Sequence, residues 1–157
     1  HGLFIEGDKN PIKQFVAKNP SEEEQALAEF LECLSQYPNA VVFTWTTFEN
    51  RWLEKMKEKY GTHQGKLSRA LTQLVDLKEV IKDAVALPVT SFSIKEVAPA
   101  LGFSWRAEDA GGSNSEAWYE NWLKNGDEGL FQKILHYNED DVLAMEFVLR
   151  KVKEALQ

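Results

Sequence analysis

His136-Tyr137-Asn138-Glu139-Asp140-Asp141-Val142 is the stretch on which the reading of this chain turns. Tyr137 and Asp141 are one helical turn apart, so in a helix they share a face and aim a hydroxyl and a carboxylate into one pocket. A second reading stays open at this point: Asn138 caps the last helix, and Glu139, Asp140 and Asp141 fill its first turn, where the helix dipole favours anions. Around this stretch, Leu130 to Leu156 is long and amphipathic, with Val142, Met145, Leu149, Val152 and Leu156 on one side.

Working outward, Asn125-Gly126-Asp127 turns the chain before that segment, and a helix is expected across Ala117 to Lys124. Glu108 to Ser115 reads as a polar loop. Its Gly111-Gly112-Ser113-Asn114-Ser115 run could cradle a phosphate, but Ser113 with Glu116 is also an ordinary capping box. Ser93 and Glu96 form another capping box for a helix reaching about Leu101, stopped by Gly102. Trp105-Arg106 could grip a nucleic-acid strand, or be a packed tryptophan beside a salt-bridged arginine. Between His63 and Leu87 the pattern is mainly helical, with Gln73 to Leu77 as a possible brief strand. Asp76 either ends that strand or lies on a helix surface.

Closer to the start, Gly2 to Glu6 and Pro11 to Ala17 read as the two strands of a hairpin around a Gly7 to Asn10 turn. Ser21 with Glu24 predicts a capped helix carrying Ala26, Leu27, Phe30, Leu31 and Leu34 at helical spacing, ended by Pro38-Asn39. Ala40 to Trp45 is β-branched and aromatic enough for a buried strand. Thr46 or Thr47 then caps a helix running to about Tyr60. Strands early and helices late predict an α/β or α+β class, with one small sheet covered by helices in one domain spanning 1–157.

Composition narrows the function. The chain has 157 residues, 25 acidic against 18 basic, and a net charge of −7, which argues against coating nucleic acid by electrostatics alone. A nuclease is still compatible, because divalent cations held by clustered carboxylates neutralise an approaching phosphate. Arg51, Lys55, Lys57, Lys59, Lys66 and Arg69 fall in one stretch, either a phosphate-tracking face or a solvated helix face interleaved with Glu54 and Glu58. No apolar run approaches the roughly 18 residues of a membrane helix, so no membrane partner is expected. The single cysteine, Cys33, has no partner and reads as a small core residue, which points to a cytoplasmic protein.

Tyr137-x-x-x-Asp141 followed by an apolar helix resembles the third motif of the DEDD exonuclease superfamily, in its tyrosine-bearing branch. More widely, four tracts are similar, at similar spacing, to the RecB-like predicted nuclease family with a ribonuclease H-like domain. They are Ser93 to Val97, Leu101 to Arg106, Trp118-Tyr119 with Trp122-Leu123, and Tyr137 to Asp141. The resemblance implies a ribonuclease H-like α/β fold and hydrolysis of phosphodiester bonds in DNA or RNA, as a 3′–5′ exonuclease. It also implies Mg²⁺ or Mn²⁺ at a two-metal site, with a nucleic-acid strand end as partner. Asp141 would then ligate a metal and Tyr137 would orient the attacking water. Glu49, at a helix start just after the Ala40 to Trp45 strand, would be the second-motif ligand, although the wider superfamily carries aspartate there.

The first motif of that superfamily, Asp-x-Glu on the opening strand, has no convincing match; Phe4-Ile5-Glu6 resembles only its second half. The resemblance therefore places His1 to Ile5 as the second strand and expects the central first strand, with both acids, upstream in a longer nuclease polypeptide. The chain as it stands would be inactive. The fold would also have an unfilled slot between Gly2 to Glu6 and Ala40 to Trp45, which is costly if amides are buried there unpaired. Two other classes remain open: a non-catalytic ribonuclease H-like module that binds nucleic acid or another domain, and a purely structural domain with Tyr137 and Asp141 tied up in hydrogen bonds.

Overall fold

A computed structural model describes residues 1–106 and 112–157, with backbone alone for residues 112–114. Strands β1 (Gly2–Phe4) and β2 (Ile12–Gln14) form the expected hairpin, with Gly7 at a φ of 84° in its turn, a region open to glycine and strained for other residues. Helix α1 (Glu23–Ser35) buries Leu27, Phe30, Leu31 and Leu34, the i, i+3, i+4, i+7 set the sequence predicts. Its start differs from the expected Ser21 capping box. Asn19 Oδ1 accepts from Ser21 N, and Glu22 reaches back to the Lys18 amide at 2.9 Å and to Asn19 Nδ2 at 2.7 Å.

Strand β3 (Val42–Thr44) leads into α2 (Phe48–Lys59), whose first amide donates to Thr46 Oγ1 at 3.1 Å. After α3 (Gln64–Gln73), the chain returns as β4 (Leu74–Asp76), parallel to β3, with Val42 opposite Leu74 and Thr44 opposite Asp76. Parallel pairing needs a crossover, and α2 with α3 supply it. The possible strand at 73–77 thus exists, and Asp76 ends it. Helices α4 (Leu77–Ala84), α5 (Ile94–Ala100), α6 (Gly112–Asn125) and α7 (Glu128–Ala155) complete the order.

The β3–β4 pair is covered on both faces. Val42 and Leu74 pack on a cluster of Leu27, Leu31, Leu53, Met56, Leu67 and Ala70, while Phe43 and Trp45 pack on Leu77, Ile81, Val97, Ala144 and Val148. Alternate residues of β3 therefore face opposite cores, as strands buried on both sides require. The α/β class holds, but the single small sheet expected from the sequence is two separate pairs, one antiparallel and one parallel.

The reason lies between them. Register and the bonds Phe15 N→His1 O and Ile5 N→Pro11 O make the odd-numbered residues of β1 the hydrogen-bonded ones, so Gly2 and Phe4 turn their amides and carbonyls away from β2. Among the described residues no strand pairs with that edge, nor with the free edge of β3. Both strands border a groove of about 530 Å³ floored by Val142, Met145 and Leu149 of α7. Gly2 to Ile5 and Val42 to Phe43 are half-buried and Ala40 and Val41 exposed along this groove, while Thr44 and Trp45, next along the chain, are buried.

Candidate functional site

Helix α7 carries the site, and its start decides between the two readings of the acidic stretch. Asp127 is its N-cap, accepting from Gly129 N at 2.8 Å and Leu130 N at 3.3 Å. Asn138 therefore does not cap this helix. It lies mid-helix, where its Oδ1 accepts from Gln14 Nε2 at 3.3 Å. Glu139, Asp140 and Asp141 are consequently far from the dipole's positive end and need other partners.

Two segments supply them. Ser93 caps α5 by accepting from Lys95 N at 3.1 Å, and Lys95 extends its ammonium to Asp141 Oδ1 at 2.8 Å. Glu96 does not close the expected box on Ser93. It gathers the amides and hydroxyls of Thr90 and Ser91, whose hydrogen bonds pull its carboxyl down to about 2. Beyond α5, Trp105 Nε1 donates to the same Asp141 oxygen at 2.9 Å. The Arg106 amide and Nε donate to Asp140 at 2.9 and 2.7 Å, and its Nη2 reaches Glu139 Oε2 at 2.8 Å. Of the two readings of Trp105-Arg106, the packed tryptophan with a salt-bridged arginine is the one observed.

Tyr137 and Asp141 do share a face. The phenol is 8% exposed, and burial first, then the charge of Asp141 and the hydrogen bond to it, push its pKa up. The Lys95 ammonium lies 3.8 Å from the Trp105 ring centroid and 4.5 Å from that of Tyr137, so it is held between two aromatic faces and a carboxylate. Trp118 of α6 meets Tyr137 edge to face at 6.0 Å. The Asp141 side chain is 33% exposed, so this cage opens to the surface.

Glu49 has other surroundings. It sits in the first turn of α2, its Oε2 is buried without a partner, and burial and then the charge of Asp76 raise its pKa, against a hydrogen bond from its own amide. Asp76 caps α4 through Glu79 N at 3.3 Å. These two carboxylates belong to the carboxyl ends of the parallel strands, and Glu49 makes no hydrogen bond or ion pair with Tyr137 or Asp141. Of the three predicted site residues, Tyr137 and Asp141 meet on one face of α7, and Glu49 feels the charge of Asp76.

Among the described residues no group of three His, Cys, Asp or Glu is arranged to hold a metal ion. The donor set does not fit a two-metal centre, which needs several carboxylates around ions about 3.5–4 Å apart. Asp141 is engaged by Lys95, Trp105 and Tyr137, and Asp140 and Glu139 by Arg106. The basic stretch is likewise committed in part: Lys59 pairs with Glu23, and Lys66 with Glu32 at 2.7 Å. Cys33 is unpaired and half-buried, and burial raises its thiol pKa. His63 pairs with Glu24 at 3.2 Å. Of the Gly111 to Ser115 run, Gly111 lies outside the described residues, and residues 112–115 form the start of α6, where a loop was expected.

Sequence reasoning missed Lys95 and Asp140. Nothing local marks Lys95, because its partner is 46 positions away. Asp140 had a signal in hindsight: it stands one residue before the Asp141 face, toward the buried side that Ala144 and Val148 continue.

The model of the RNase H superfamily matches residues 1–153 of the chain. No curated protein and no solved structure matches it. No helix among the described residues is long and apolar enough to cross a membrane.

Proposed function

The chain belongs to the RNase H superfamily, and from that premise we propose that it is the strand-engaging domain of a nuclease acting on DNA or RNA, and that these 157 residues bind a strand end without hydrolysing it. The observation that carries the reading is the Tyr137–Asp141 pair, buried at its phenol end and open at its carboxylate, one turn of α7 apart. In a complete two-metal, 3′–5′ exonuclease of the DEDD type, to which the sequence motifs are similar, such a pair contributes a water-orienting phenol and a metal-binding carboxylate. Mg²⁺ or Mn²⁺ is part of that proposal. Since the described side chains do not form its site, no hydrolytic step is assigned to this chain by itself.

What the chain's own groups do is bind and orient. The Tyr137 phenol faces Asp141 and, protonated at neutral pH as phenols ordinarily are, serves as a hydrogen-bond donor there. Lys95, partly exposed beside Asp141, is the group at the mouth of the cage that a sugar-phosphate would meet.

The test is an anisotropy and gel assay with 5′-labelled single-stranded DNA and RNA, with and without Mn²⁺. Binding of at least one strand type without shortening is expected. Shortening by the wild-type chain would overturn the claim that it binds without hydrolysing, shortening that survives both Asp141→Ala and Tyr137→Phe would overturn the site assignment as well, and failure to bind either strand would overturn the nucleic-acid reading. A second reading, a wholly non-catalytic module, is favoured by one observation: all three acids of the Glu139-Asp140-Asp141 run are ion-paired within the fold, Asp141 with Lys95 and the other two sharing Arg106. It expects binding unchanged by Asp141→Asn.

A further inference from the structure

The cation already present at Asp141 is a side chain. Lys95 Nζ stands 2.8 Å from Asp141 Oδ1, 3.8 Å from the Trp105 ring centre and 4.5 Å from the Tyr137 ring centre. Each contact favours a positive charge at that point: the carboxylate directly, and the two rings through their electron-rich faces. Lys95 and Asp141 are only 29% and 33% exposed, so water screens the pair less than it does the surface pairs of α7. The indole N–H of Trp105 takes a second position on the same oxygen, at 2.9 Å. Both contacts fall on Oδ1, and a hard divalent cation that this oxygen would otherwise attract would meet like-charge repulsion from the ammonium.

From this geometry we infer that Lys95 is a tethered cation that occupies the place of a divalent ion at Asp141, so that this carboxylate does not serve as a metal ligand while the Lys95 ammonium is in the Trp105–Tyr137 cage. Lys95 is in these terms a positioning residue. It fixes the carboxylate and the phenol in their present arrangement. Its attachment suits the task, because Ser93 and the following turn hold the Lys95 backbone while the flexible stem leaves its head free to swing toward the exposed mouth of the cage. A strand phosphate arriving at that mouth would offer Lys95 an alternative anion.

The inference rests on Asp141 belonging to a nucleic-acid-processing site, but its test reads ion occupancy alone. Mn²⁺ is titrated into the 157-residue protein and free Mn²⁺ is followed by its electron paramagnetic resonance signal. Three variants accompany the wild type: Lys95→Met, which keeps the apolar stem, Lys95→Arg, which keeps the charge, and Lys95→Met combined with Asp141→Asn. Lys95→Met is expected to bind Mn²⁺ at least about tenfold more tightly than the wild type, since one like charge at contact distance has been removed. Lys95→Arg should stay at the wild-type value, and the double variant should lose the gain. Equal affinity in wild type and Lys95→Met, a gain that survives Asp141→Asn, or an equal gain in Lys95→Arg each overturns the inference. If Lys95→Met does not fold, as judged by far-ultraviolet circular dichroism, Lys95→Gln replaces it with the same outcomes. Loss of strand binding with the Mn²⁺ pattern intact would sink the proposed function and leave this inference standing; the converse result would do the reverse.

Discussion

Replacing Arg106 with alanine isolates the contact that pins the Trp105 loop to α7. In the folded protein Asp140 is 3% exposed and accepts two bonds from Arg106, one from the backbone amide at 2.9 Å and one from Nε at 2.7 Å. The variant keeps the first and loses the second, leaving a buried carboxylate with half its donors. Removing one partner of a fully buried ion pair costs about 3–5 kcal/mol. The Arg106 side chain is 50% exposed, however, so part of its charge is already solvated and the figure must be discounted. A loss of about 1.5–3 kcal/mol is expected, the range for unsatisfying a charge-bearing acceptor. For a chain of this size that lowers the melting temperature by roughly 3–12 °C. Urea unfolding should show a lower midpoint with an unchanged slope. The indole N–H resonance of Trp105 should shift in the same variant, because the loop that aims it at Asp141 has lost its anchor. A cost below about 0.5 kcal/mol, with the Trp105 resonance unmoved, would refute the claim that Asp140 depends on this guanidinium.

Two further changes probe other parts of the fold. Gly2→Ala is expected to destabilise by about 1–3 kcal/mol, since a Cβ there would lie 2.5 Å from Asn138 Oδ1 and 2.8 Å from Val142 Cγ2; a melting temperature equal to the wild type would contradict this packing of β1 on α7. Glu49→Gln tests the sign of a raised carboxyl pKa: because burial lifts Glu49 above its ordinary 4.5, its favourable contribution is complete below that value and is lost as pH rises through the folded-state value. The variant should therefore be more stable than the wild type at pH 7 and lose that advantage near pH 4, and a constant difference across both would show that burial does not govern this group.

Local signals told most of the secondary structure. The helical spacing of Leu27, Phe30, Leu31 and Leu34 reflects which side chains one face can bury, and that periodicity is present in the chain before any packing. The two turns at Gly7 and Gly126 were legible because positive φ values favour glycine. Capping was less legible. The Ser21 and Asn138 caps failed because several polar side chains in one stretch can offer an oxygen to the same amides, and geometry selects among Asn19, Glu22 and Asp127.

For the site, the same division holds. The sequence by itself determined that Tyr137 and Asp141 would meet, because an interval of four positions is a property of the helix and needs no tertiary partner. Only the tertiary structure decided what they would meet with. Lys95, Trp105 and Arg106 arrive from 34 to 46 positions away, and Glu49 finds Asp76 through the pairing of β3 with β4. Electrostatic partnership acts through space and along whatever path the fold closes, so the partners of the acidic run on α7 are decided by the packing of α5 and its following loop against that helix.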